Sequence, residues 1–103
     1  MSHSAELIFA ADHPAAQGHF PGNPVIPGAV LLDEVLGAIC LRAKSAADDF
    51  EILSVKFLLP VRPGSRLTLR WEDGASGQIK FQCLLAPDRT AVSGTLRLGP
   101  AQR

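Results

Sequence analysis

The apolar positions of this chain change rhythm twice. Residues 5–11, AELIFAA, form a short apolar run that stops at Asp12, His13 and Pro14, as a strand stops where turn residues begin. The next stretch, up to residue 26, holds too much Gly and Pro for either regular structure. From Pro27 the chain reads PGAVLLDEVLGAICLRAK, apolar on almost every side, with Asp33 and Glu34 interrupting it and Arg42 and Lys44 closing it. Proline at the head and cations at the tail mark the two ends of a helix. A helix that is apolar nearly all round must be buried on most sides.

Beyond the helix the rhythm becomes alternation. Residues 50–60, FEILSVKFLLP, read as a half-buried strand, and LTLRW at 67–71 as another, turning at EDGASG. Residues 78–86 and 90–98 complete the set around Pro87, Asp88 and Arg89. Closely spaced turns imply antiparallel pairing. One long helix after the first strand and before four more predicts an α+β domain over residues 1–103. In it, an antiparallel sheet of about five strands wraps around a single helix.

Composition narrows the partners. A chain of 103 residues with 47% hydrophobic content holds one modest core, and at that size association with further copies is expected. Ten basic residues balance ten acidic ones, which argues against general nucleic-acid or membrane-surface binding. Cys40 and Cys83 stand far apart among apolar neighbours and read as buried free thiols in a reducing compartment. No run reaches the roughly 18–20 apolar residues of a membrane span, and the N-terminus lacks a signal peptide's pattern. The expectation is a soluble cytoplasmic protein.

Candidate chemistry gathers between residues 17 and 34. Pro21, Pro24 and Pro27 each fix their own φ and hold the residue before them extended. His19 is therefore expected at a set distance from the helix start, where it can titrate near neutral pH and act as a base. Gly28 offers an amide with no side chain in the way, suited to a carbonyl oxygen gaining negative charge, although such Pro-Gly loops are often only turns. Asp33 lies inside the helix among Leu31, Leu32, Val35 and Leu36. Burial there raises a carboxyl pKa and suits it to act as an acid. Glu34 points about 100° away around the helix, and periodicity leaves open which of the two faces inward. His3 reads as terminal and disordered, and His13 as a loop residue. No spacing of His, Cys or acids resembles a metal site.

Residues 18–33, GHFPGNPVIPGAVLLD, resemble the signature of the FabA/FabZ-type 3-hydroxyacyl-[acyl carrier protein] dehydratases. Residues 55–69, VKFLLPVRPGSRLTL, are similar to a second stretch of the same family. The resemblance covers nearly the whole chain. It implies a hotdog fold and a homodimer joined sheet edge to sheet edge, each site taking its histidine from one subunit and its acid from the other. By alignment His19 is the base, Asp33 the acid and the Gly28 amide the oxyanion donor, with no cofactor. The implied substrate is a 3-hydroxyacyl chain on acyl carrier protein, in fatty acid or related lipid and polyene synthesis. Lys56, Arg62, Arg66 and Arg70 are candidates for docking that acidic carrier.

Some positions depart from the pattern. Gly37 stands where many members carry glutamine, and there is no tyrosine to gate a tunnel. An aspartate at the acid position resembles the isomerising branch and the aryl-polyene-type dehydratases. Two alternatives stay open: a hotdog thioesterase, and a non-catalytic acyl-binding partner subunit.

Overall fold

The computed structural model describes residues 2–10, 25–43, 50–74 and 77–98. His19, with Pro21 and Pro24, lies outside them, as does His13. The elements run β1 (Ser2–Ile8), α1 (Gly28–Ala43), β2 (Phe50–Phe57), β3 (Arg66–Asp73), β4 (Gln78–Ala86) and β5 (Arg89–Leu98). The strands form one antiparallel sheet in the order β1-β3-β4-β5-β2, as the short turns required. β1 starts three residues earlier than the apolar run suggests, so His3 is not a disordered terminal residue but sits in the strand, its ring stacked on Trp71 and its Nε2 2.9 Å from the Asp73 carboxylate. His3, Ala5 and Leu7 pair with Trp71, Leu69 and Leu67 on the inner face, so alternation carries the strand where hydrophobicity alone does not. β2 ends at Phe57 rather than Pro60, because the amides of Leu58 and Leu59 both turn to the Ala91 carbonyl, at 2.7 and 3.2 Å. Pro60 then has no N–H with which to continue a ladder.

Alternation gives the sheet two faces. The inner one carries Leu67, Leu69 and Trp71 on β3, Ile79, Phe81 and Cys83 on β4, and Val92 and Leu96 on β5, all buried. The helix lays Leu31, Val35 and Ile39 into the same core. Their spacing of four residues puts them on one stripe. Ile26 and Val61 close one end, tied together by an Ile26 N–H donating to the Val61 carbonyl at 2.7 Å. The turn at residues 62–65 puts Pro63 and Gly64 at its centre. Gly64 has φ 87°, and the Ser65 amide donates to the Arg62 carbonyl at 3.1 Å. A turn with positive φ at its third position needs glycine there.

Two local features shape β2. The pairing with β5 shifts register between Ile52 and Ser54, so Leu53 is an extra residue in the strand, a bulge. Opposite the shift, Gly94 has no room for a side chain. A Cβ there falls 2.5 Å from the Ser54 carbonyl oxygen and 2.8 Å from the Phe81 ring.

One expectation needs correcting. The helix is not buried on most sides. Its far face shows Ala29, Asp33, Glu34 and Gly37 to solvent, and Leu41 is 82% exposed. Five strands of one chain cover only one side of a helix, and α1 leaves its outer positions, Leu41 among them, uncovered. β2, at the edge of the sheet, likewise exposes Ile52, Leu53 and Phe57, and Leu58 follows just beyond it.

Candidate active site

The helix start is built by Pro27. Its carbonyl accepts the Val30 and Leu31 amides at 3.0 and 3.1 Å, which closes the first turn and leaves Gly28 as the first helical residue. An amide at that position has no carbonyl inside the helix to bond and lies at the positive end of the helix dipole. The ring of Phe57 rests on Gly28: a Cβ there meets the ring at 2.9–3.3 Å. Glycine thus lets β2 approach the helix N-terminus closely, and Phe57 itself stays 52% exposed.

Asp33 sits five residues further on, about 7.5 Å along the axis and about 140° round it. It is exposed, which corrects the expectation of a carboxyl buried among leucines. Leu31 and Val35 take the inward positions and Asp33 falls between them on the open side. One turn before it stands Ala29 and one turn after it Gly37, whose missing Cβ faces open space within 4 Å. The small neighbours leave the carboxylate uncovered by its own helix. Glu34 is exposed as well, so exposure does not separate the two acids. Gly28 faces β2 while Asp33 lies exposed on the open side of the helix, so among the described residues the two do not converge on one groove.

The four candidate docking cations do not form one patch. Arg66 is ion-paired with Glu6 at 3.8 Å, both exposed. Arg62 is exposed on the turn beside Val61. Lys56 and Arg70 share the helix-free face of the sheet but stand on β2 and β3, with β4 and β5 between them. Lys80 lies on that face with them. Alternation outward from Ile79 and Phe81 would have located it.

Cys40 and Cys83 are both buried thiols outside any disulfide, as expected. Burial pushes the Cys83 thiol up to about 12, which keeps it protonated and inert. Among the described residues no three His, Cys, Asp or Glu side chains gather as a metal would require, and no helix is long and apolar enough to cross a membrane.

Comparison with known proteins bears on this geometry. Residues 1–95 match the family model of ApeI-like proteins, described as ApeI dehydratase. A 3-hydroxyacyl-[acyl-carrier-protein] dehydratase FabZ of Wolbachia pipientis is 32% identical over 94 residues, covering 82% of this chain and 66% of its own length. Another FabZ, from Allorhizobium ampelinum, is 38% identical over 92 residues, 81% of this chain and 60% of its own. The chain therefore spans less than two thirds of these curated relatives. In structure it is similar to a chain of the dehydratase heterocomplex ApeI:P from Xenorhabdus doucetiae, with a TM-score of 0.70 at 24% identity, over 96% of this chain and 88% of that one. The fold is the hotdog fold.

Proposed function

We propose, from the premise that this chain belongs to the ApeI-like dehydratase family, that it removes water from (3R)-3-hydroxyacyl thioesters carried by acyl carrier protein, yielding trans-2-enoyl thioesters. The pathway class is fatty acid synthesis or a related lipid or polyene route. His19 takes the C2 proton. The freed electron pair becomes the C2–C3 double bond as the C3–O bond breaks, and the leaving hydroxyl takes a proton from Asp33 and departs as water. The Gly28 amide and the helix dipole hold the thioester oxygen as negative charge develops on it. No cofactor takes part. Arg62, beside the loop joined to the helix start, and Lys56, Arg66 and Arg70 are proposed to receive the acidic carrier.

The observation that carries this reading is the placement of the motif's two described members. Gly28 is the first residue of the helix, its amide free of any helical acceptor, while Asp33 lies on the face that the chain's own sheet leaves open. Each protomer therefore presents half a site. A second copy joined along the β2 edge, where Ile52, Phe57 and Leu58 are exposed, supplies the other half, with His19 of one copy meeting Asp33 of the other.

One assay tests it. The pure protein is incubated with a trans-2-enoyl thioester while enoyl absorbance and free thiol are followed. Reversible loss of absorbance without thiol release supports the dehydratase, and thiol release identifies a thioesterase. No change with carrier-bound chains of several lengths identifies a non-catalytic acyl-binding subunit. His19→Ala is expected to abolish hydration and Glu34→Gln to leave most of it; substantial activity in His19→Ala removes the assignment of the base.

A further inference from the structure

Phe57 is the last residue of β2, and its ring does not stay with the sheet. Across the ladder it pairs with Val92, which is wholly buried, whereas Phe57 is half-exposed. The strand end itself is pinned, because the next two amides, those of Leu58 and Leu59, both donate to the Ala91 carbonyl. From that fixed base the ring reaches to the helix start. At the point where Gly28 would carry a Cβ, the three nearest heavy atoms all belong to the ring tip: Cζ at 2.9 Å, Cε1 at 3.1 Å and Cε2 at 3.3 Å. A helical Cα–Cβ bond tilts toward the N-terminus. A ring standing on that spot therefore flanks the Gly28 amide rather than its carbonyl.

The Gly28 amide is the first of the helix and has no helical acceptor. Left open to solvent, such an amide holds a water molecule. A thioester oxygen that replaces the water gains only the difference between two similar hydrogen bonds. Kept dry, the same amide stabilises developing negative charge far more, because the low dielectric of a water-free site strengthens the contact. Gly28 has no side chain with which to exclude water. An apolar ring brought in from another element can do so, and glycine is what lets it come close enough.

We propose that Phe57 is the water-excluding cover of the Gly28 amide, and that its exposed flank receives the first methylenes of the acyl thioester. This role rests on the dehydratase reading of the same site. It makes Phe57 a positioning residue, acting on the reaction through Gly28. Polarity then separates its replacements: leucine keeps an apolar cover over the amide, and serine does not. In a Gly28→Ala chain the new methyl stands on the covered spot itself, so removing the ring there relieves a clash rather than wetting the amide.

Two measurements on the same four proteins test it: wild type, Phe57→Leu, Phe57→Ser and Ile8→Ser. The last removes an exposed apolar side chain from the opposite edge strand, β1. Isotopically labelled glycine gives nine backbone amide signals in nuclear magnetic resonance, and the one missing from Gly28→Ala belongs to Gly28. Exchange of that amide with solvent is expected to be severalfold faster in Phe57→Ser and little changed in Phe57→Leu and Ile8→Ser. Enoyl hydration is followed with light scattering on the same samples. Phe57→Ser should lose about ten- to hundredfold in kcat with a smaller change in KM, while Phe57→Leu keeps most of the activity and Ile8→Ser all of it. Unchanged exchange at Gly28, an unchanged kcat, or a loss that only follows the dimer mass overturns the cover and leaves the dehydratase reading standing. A wild type that hydrates no enoyl thioester removes that reading, and the role of Phe57 with it.

Discussion

Gly28 and Gly94 both exclude a methyl group, but for different reasons and with different costs. At Gly94 the obstacle is a backbone oxygen held in the sheet, so Gly94→Ala must move β2 or the Phe81 ring. Urea unfolding should show a loss of about 1–3 kcal/mol. At Gly28 the obstacle is the outer end of the Phe57 ring, a half-exposed side chain that can swing aside. Gly28→Ala should therefore cost less stability than Gly94→Ala but displace the ring beside the proposed oxyanion donor. Enoyl hydration should fall, and Phe57→Ala in the same chain should recover part of it. Cys83 gives a pH test. Its folded pKa is raised to about 12 from 9.0, so the unfolded chain releases this proton first. The stability it contributes is complete below pH 9 and is lost as the pH rises toward 12, by up to about 1.4 kcal/mol per unit. Replacing Cys83 with alanine should flatten that slope in urea titrations at pH 9–11, whatever it does to stability at pH 7.

At the scale of elements, most of the architecture was legible because alternation and helical periodicity are local signals. β4 falls at residues 78–86 as read, and β5 begins one residue early. β1 was harder to place because Ser2, His3 and Ser4 carry little hydrophobicity and are held by their register against β3. The full burial expected of α1 failed for a related reason: periodicity reports that a helix has apolar sides but not whether the cover comes from its own chain. Both uncovered surfaces, the outer side of α1 and the edge strand β2, belong to the proposed pairing of copies. An unpaired apolar edge invites strand addition, and a charge placed on it discourages addition. Ile52→Lys, with the side chain already exposed, should shift the protein toward the monomer in light scattering while circular dichroism keeps its sheet signal. Enoyl hydration should fall with the dimer fraction.

For the molecule as a whole, the motif from Gly18 to Asp33 was plain in the sequence, while its arrangement was not. The spacing from Gly28 to Asp33 fixes an angle along one helix and says nothing of a second chain, and the exposure of Asp33 emerges only once the sheet is seen to cover the opposite side. A site shared between copies predicts complementation. His19→Ala and Asp33→Asn chains, each inactive alone, should regain about a quarter of wild-type hydration when unfolded together and refolded in equal amounts, since half the dimers are mixed and each holds one intact site. No recovery would place both groups on one chain. The bulge at Leu53 has a wider effect than its size suggests. Phe50 and Ile52 on one side of it, and Val55 and Phe57 on the other, pair with inward positions of β5 although an odd number of steps separates the two sets. The extra residue works as a parity correction. Deleting it leaves the chain one residue shorter, yet it forces one half of β2 to swing Phe50 and Ile52 to the opposite face or the other half to surrender the phenylalanine that touches the helix.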